Sequence, residues 1–154
     1  MKFNLKHKNH AVGQNCYHLV WKTKYSEPVF KSTAYRKVCE GALRQVAVNY
    51  GFYIYELKVM PDHIHLFVDL PSTMPVSKAL QLFKGISSRM LRRQFNFLRE
   101  YKCLWSPGKF YRSVGNVTYD IIQNYIKYSQ GSWKTDFSNL PSYYQQQKLS
   151  SFVA

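Results

Sequence analysis

Apolar and polar positions along this chain change period several times, and each change marks an element. From Asn15 to Lys22 the run Asn-Cys-Tyr-His-Leu-Val-Trp-Lys is rich in strand formers, and Ser26-Glu27-Pro28 breaks it. Helical spacing takes over near Ser32 or Thr33 and gathers Val38, Ala42, Leu43 and Val46 on one face until Tyr50-Gly51 ends it. Period two returns from Phe52 to about Met60. After a Pro61-Asp62 corner, a further strand carries His63 and His65 and stops at Leu70-Pro71. These two strands are expected to form an antiparallel hairpin at the centre of a sheet. A second helix is expected from Pro75, a favourable first-turn residue, to about Phe97, presenting Val76, Ala79, Leu80, Phe83, Ile86, Met90 and Leu91 at helical spacing. Phe110 to Val114 offers a short edge strand. Thr118 is placed to cap a last helix, with Asp120 in its first turn and Ile121, Ile122, Tyr125, Ile126 and Tyr128 as its semi-apolar surface.

The order strand, helix, strand, strand, helix, short strand, helix predicts an α+β fold. It is a single-domain split βαβ arrangement of the ferredoxin-like or RRM-like kind, an antiparallel sheet with helices packed on one face and an additional C-terminal helix. No linker or repeat interrupts residues 12–137, which are read as one domain. Residues 1–11 read as a basic, mobile N-terminal arm able to touch phosphate, and 138–154 as a C-terminal tail.

Charge changes the picture from a fold to a partner. Lys and Arg number 22 against 8 Asp and Glu, a formal net charge of +14, while 45% of residues are hydrophobic and 17% aromatic. The apolar content excludes a disordered tail protein, and the charge favours a polyanion, most simply nucleic acid. Nine of the basic residues, Lys78, Lys84, Arg89, Arg92, Arg93, Arg99, Lys102, Lys109 and Arg112, stand between positions 78 and 112 against Glu100 alone, as an electrostatic footprint for a phosphate backbone. Trp105, Phe110 and Tyr111 lie among them, where exposed rings would stack on unpaired bases. Cys16, Cys39 and Cys103 form no CxxC pair and read as buried thiols of a reducing compartment. No apolar run reaches transmembrane length, so a cytoplasmic protein with no membrane partner is expected.

The candidate chemistry centres on Met60-Pro61-Asp62-His63-Ile64-His65-Leu66. A strand puts His63 and His65 on one face, where two imidazoles on a rigid element can hold a divalent ion next to a basic surface. Such an ion would polarise a phosphodiester oxygen and offset charge in the transition state. Asp62 and Asp69 are further candidate carboxylates near this pair, Asp62 also suiting a cap of the corner. The sequence has no Ser-His-Asp spacing, no G-x-x-x-x-G-K and no acidic cluster for a two-metal nuclease, so neither a nucleotide cofactor nor two-metal hydrolysis is expected. The last helix offers tyrosines instead: Tyr119, Tyr125 or Tyr128, with Lys127 nearby to assist a phenol whose reference pKa is about 10.

In these residues the chain resembles the single-tyrosine HUH transposases of small bacterial and archaeal insertion sequences, the IS200-like family. The stretches that carry the resemblance are Tyr17-His18-Leu19-Val20-Trp21-Lys22-Thr23-Lys24-Tyr25 with Pro28-Val29-Phe30, Val59 through Leu66, Lys84-Gly85-Ile86-Ser87-Ser88, Leu104-Trp105-Ser106, Val114 through Thr118, and Tyr125-Ile126 with Gln130. The resemblance implies that His63 and His65 ligate Mg²⁺ or Mn²⁺, that Tyr125 is the nucleophile, and that Gln130 is a further metal ligand. The family's glutamine usually falls four residues after the tyrosine; Gln130 falls at five, about 100° further round a helix. Also implied are a homodimer, in which one subunit's last helix can serve its partner's histidines, and binding of DNA hairpins at the ends of the element. The implied reaction is cleavage and rejoining of single-stranded DNA through a 5′-phosphotyrosine intermediate. Lys84, Arg89, Arg92, Arg93, Lys109 and Arg112 are the expected DNA contacts, with His18, Lys127 and Trp105 as supporting residues. The alternatives are a non-catalytic or domesticated single-strand binder and a metal-dependent phosphodiesterase that uses water.

Overall fold

A computed structural model of the chain describes residues 5–115 and 119–128. Six strands and three helices follow in the order β1 (Lys6–Lys8), β2 (Ala11–Gly13), β3 (Cys16–Lys22), α1 (Thr33–Tyr50), β4 (Tyr53–Val59), β5 (His63–Asp69), α2 (Val76–Gln94), β6 (Phe110–Ser113) and α3 (Tyr119–Tyr128). The main sheet has the order β4-β5-β3-β6, antiparallel throughout. This is the split βαβ topology: β3 and β4 are joined through α1 with β5 inserted between them. The hairpin of β4 and β5 exists, but its place differs from the sequence expectation. β5 and β3 are central, and β4 is an edge strand with an irregularity between Ile54 and Glu56.

The two faces of the sheet are covered differently. Leu19, Trp21, Ile64, Leu66 and Val68 point to α1 and α2 and join Cys39, Leu43, Val46, Ala79, Leu80, Phe83 and Leu91 in the main core. Ser32 caps α1 by accepting from the Ala34 amide at 3.3 Å, and Gly51, at φ 70°, closes it in the left-handed conformation that costs glycine least. The opposite face of β3 and β5 is also buried, yet it carries His18, Lys22, His63, His65 and Asp69. Burying polar groups costs free energy unless they are paired or used, so this face is the part of the fold that hydrophobic packing alone does not explain.

Three further expectations are revised. The arm of residues 1–11 is in part structured: β1 and β2 form an antiparallel hairpin, and Lys6 ties it to the buried Asp69 at the end of β5 with a 3.1 Å ion pair. Helix α2 ends at Gln94 rather than Phe97, because Phe95 leaves helical geometry and with Phe97 packs on Tyr35 at ring separations of 4.5 and 5.4 Å. Of the three cysteines, Cys16 and Cys39 are buried but Cys103 is exposed. Burial and the Asp69 carboxylate push the Cys16 thiol up to about 12. Among the described residues, no helix is long and apolar enough to cross a membrane.

The loop between α2 and β6 is locked onto the end of β3. Ser106 donates its amide to the Lys22 carbonyl at 2.9 Å, Thr23 bridges Trp105, and Lys24 donates to Leu104 at 2.8 Å. From the α2 side, Lys84 donates to the carbonyls of Ser106 at 2.7 Å and Gly108 at 3.3 Å, while Trp105 Nε1 donates to Ser87 Oγ at 3.0 Å. Lys84 and Ser87 stand three residues apart on one helical face, which accounts for their spacing in sequence. A Cβ at Gly85 would meet nothing within 4 Å, so close packing does not require a glycine there.

Trp105 is 7% exposed and packs on Trp21 and Phe30, and Phe110 is buried as well. Both are core anchors, so of the three loop aromatics only Tyr111, 54% exposed, has a ring available for stacking on a base. Truncating Trp105 to alanine should therefore cost about 3–5 kcal/mol of stability, read from the denaturant midpoint. An unchanged midpoint with weakened DNA binding would return Trp105 to the surface role.

Candidate metal and strand-transfer site

His63 and His65 occupy alternate positions of β5, and the antiparallel register sets Lys22 opposite His63 and Val20 opposite His65 on β3. On the other side, Lys58 of β4 stands opposite His65. His63 and His65 are both fully buried, with ring centroids 5.0 Å apart and planes at 76°. That separation is short enough for both rings to reach one ion at a metal–nitrogen bond of about 2.1 Å.

Each imidazole is held from behind. His63 Nδ1 lies 2.7 Å from Asp62 Oδ1, and His65 Nδ1 lies 3.3 Å from His18 Nε2. Nδ1 is engaged in both rings, and a hydrogen bond at that nitrogen is the arrangement by which histidines that ligate through Nε2 are usually oriented. Asp62 therefore orients a histidine and does not cap the corner. His18 stacks on His65 at 5.6 Å and meets Phe110 edge-on at 5.9 Å. Burial, then the charges of His65 and Arg112, hold His18 well below the ordinary imidazole range, so it is neutral at pH 7. Asp69 shares the face but sits at the far end of β5, paired with Lys6 and accepting from the Asn15 amide at 3.2 Å.

Among the described residues, no group of three or more His, Cys, Asp or Glu is placed to hold a metal ion. The histidine pair could contribute two ligands, and Gln130 lies outside the described residues.

Helix α3 packs on β4 and β5. Lys58 Nζ donates to the Lys127 carbonyl at 3.4 Å, which ties the last turn of α3 to the strand position opposite His65. Position 125 belongs to that turn, and the next residue, Ile126, is fully buried. Within one chain, then, the helix that carries Tyr125 docks beside the strands that carry the histidines. The Lys127 side chain is exposed. Thr118, the expected cap of this helix, lies outside the described residues.

The basic block of residues 78–112 does not form one groove. Helix α2 covers the side of the sheet opposite the histidines, so Arg89 and Arg93, exposed there, and the half-buried Arg92 belong to a different surface. Lys84 is occupied by two carbonyls, and burial and Lys109 bring it down to about 8, so its main task is to hold the loop. Lys109 is exposed at that loop, while Arg112 stands opposite His18 and adds positive charge at the histidine face. Sequence reasoning passed over two lysines of this face, Lys22 and Lys58, because only strand register reveals that they flank the histidines.

The family model described as "Transposase IS200 like" matches residues 11–129. The transposase for insertion sequence element IS200 of Salmonella typhimurium is 36% identical over 118 residues, 74% of this chain and 76% of that protein. The ISDra2 transposase TnpA of Deinococcus radiodurans is 30% identical over 117 residues, 72% of this chain and 81% of that protein. Among solved structures, a candidate transposase from Deinococcus radiodurans superposes with a TM-score of 0.67 at 27% identity, covering 83% of this chain and all of the other. A REP-associated tyrosine transposase bound to a REP hairpin shares the fold, with a TM-score of 0.54 at 19% identity over 79% of this chain and 69% of its own. With the match running through every element from β2 to α3, the chain belongs to the IS200-like, single-tyrosine HUH transposases.

Proposed function

We propose that the protein cleaves and rejoins single-stranded DNA through a covalent link to Tyr125, with His63 and His65 holding Mg²⁺ or Mn²⁺. The observation that carries this reading is the orientation of the histidine pair: Asp62 and His18 each engage an Nδ1, so Nε2 is the nitrogen by which each ring would ligate an ion, on the face where the last turn of α3 docks. Imidazole donors suit Mn²⁺ binding, and cellular supply favours Mg²⁺. Gln130 is the proposed further ligand. The ion supplies charge stabilisation and orientation of the scissile phosphate.

In the cleavage step the Tyr125 hydroxyl oxygen forms a bond to phosphorus and gives up its proton. The bond from phosphorus to the 3′ oxygen breaks, and that oxygen leaves with the electron pair and takes up a proton. One phosphodiester replaces another, so rejoining needs only a 3′-hydroxyl to attack the tyrosyl phosphate, without a nucleotide cofactor or a hydrolytic water. Arg112 and Lys109 are placed to meet phosphates leading to the site. Arg89, Arg92 and Arg93 would serve DNA lying across α2, which suits a hairpin engaged at a distance from the cut. The proposed unit is a homodimer; the docking of α3 on its own chain's sheet favours a cis arrangement in the resting state, with exchange of the helix between subunits as the trans alternative.

Single-stranded DNA from the flanks of the gene, labelled at either end, tests the reaction. With Mn²⁺ the downstream strand should become protein-linked, and the upstream fragment should carry a 3′-hydroxyl that a polymerase extends. A cut that leaves no strand on the protein would assign the chain to water-using phosphodiesterases, and binding without cutting to non-catalytic modules. The orienting role of Asp62 is separately measurable: Asp62→Ala should weaken Mn²⁺ binding by roughly 10–100-fold in a titration, the usual cost of losing a carboxylate behind a ligating histidine. Unchanged affinity would remove Asp62 from the site.

A further inference from the structure

Among the described residues, no protein group answers the Lys22 cation. It is the last residue of β3, only 7% exposed, and directly opposite His63 on the buried polar face. The described residues give its ammonium neither a hydrogen bond nor an ion pair. The nearby carboxylate of Asp62 is engaged with His63, and Asp69 with Lys6 at the other end of the strands. The ammonium is also not among the fully enclosed polar atoms, so a ligand can reach it. The strand end is fixed by the Ser106 amide on the Lys22 carbonyl and by the Thr23–Trp105 bridge, which hold the backbone of Lys22 in place before anything binds.

A cation on a largely buried polar face, with the nearby carboxylates engaged elsewhere, stands ready as the counter-charge of an anionic ligand. A lysine beside a pair of metal-ligating imidazoles repels the ion they would bind unless an anion lies between them. A phosphodiester carries its charge on two non-bridging oxygens, one for the ion and one for the ammonium. We infer that Lys22 is a catalytic residue that binds a non-bridging oxygen of the scissile phosphate and stabilises the charge that develops there as phosphorus becomes five-coordinate. This rests on the phosphoryl-transfer reading above, but the anion site it defines can be detected without turnover.

The test uses Lys22→Met, which keeps the length of the side chain and removes the charge. Three readouts separate the possibilities. First, the variant should melt close to the wild-type temperature, because the ammonium has no partner among the described residues to lose; a clear drop would mean that the protein itself satisfies the ammonium and would overturn the proposal. Second, metal-free wild-type protein should bind inorganic phosphate in a titration and the variant should bind it at least about tenfold more weakly, one charge-assisted contact being lost. Equal affinity would overturn the proposal even if no DNA were ever cleaved. Third, cleavage should fall about 100-fold or more in the variant, as for loss of a transition-state donor. On a substrate with a neutral methylphosphonate at the scissile position, the variant and the wild type should react at rates within a few-fold of one another. A rate ratio that is the same on both substrates would assign Lys22 a structural role. Failure of the wild type to form any adduct would instead count against the strand-transfer reading, with the phosphate titration still deciding the anion site.

Discussion

Tyr125→Phe should abolish the covalent protein–DNA product while the protein folds and binds DNA as before. The variant loses one oxygen from position 125, in the last turn of α3, and retains the ring. Two anchors of that turn are independent of the lost atom: Ile126 is buried, and the Lys127 carbonyl accepts from Lys58. The helix should therefore stay on β4 and β5, and the melting temperature should stay close to that of the wild type. Chemistry should fall by about three orders of magnitude or more, the scale for removing a nucleophile from an otherwise intact site. Gel-shift titration, thermal melting and adduct formation measured together check this. An adduct that persists in Tyr125→Phe would move the nucleophile to Tyr119 or Tyr128, and a collapse of melting temperature would make the phenol structural.

The second large effect is expected at the histidines. His65→Ala should remove one of two protein imidazoles and leave His18 facing a cavity; His63→Ala should leave the Asp62 carboxylate without the ring it orients. Loss of metal charge stabilisation is worth several kcal/mol, so cleavage should fall on the order of 10³-fold in either variant. Mn²⁺ affinity, followed by the loss of the free-ion paramagnetic resonance signal, should fall in parallel. Binding to hairpin DNA should persist, because Arg89 and Arg93 lie on the opposite side of the sheet. If hairpin binding and melting temperature were lost together while metal affinity was retained, the pair would be a structural core motif.

The sequence made the elements legible where a single local signal dominated. Ser32 and Gly51 mark the ends of α1 by capping, and Pro75 marks the start of α2 by its fixed φ, and those boundaries agree with the structure to within a residue or two. The alternation along β5 correctly put His63 and His65 on one face, since that follows from strand geometry alone. Strand order is a different kind of information. Whether β4 is central or at an edge depends on contacts between distant segments, and no local pattern distinguishes Tyr53–Val59 as an edge strand.

The candidate site was legible to the same degree and for the same reason. His-x-His is local, and so is the tyrosine pattern of the last helix. The support of each imidazole is not, because His18 reaches His65 across 47 positions of sequence. Net charge pointed to a polyanion, but adjacency in sequence made nine basic residues look like one patch, and the sheet separates α2 from the histidine face. Trp105 resembled an exposed ring because its neighbours are polar and turn-rich, whereas its indole fills a gap between Trp21, Phe30 and Ser87. Lys22 escaped notice because a lysine closing a strand usually lies in solvent, and only the register opposite His63 gives it a meaning.

The central claim is that Tyr125 becomes covalently attached to the 5′ side of the cut, and one mass measurement tests it directly. Wild-type protein incubated with single-stranded DNA from the element's flank and Mn²⁺ is digested with protease and nuclease, and the peptides are sequenced by mass spectrometry. The account predicts a peptide containing Tyr125 heavier by a 5′-linked nucleotide phosphate, absent from Tyr125→Phe and from reactions without metal. Cleaved DNA with every tyrosine peptide at its unmodified mass, or the added mass on another residue, would contradict it.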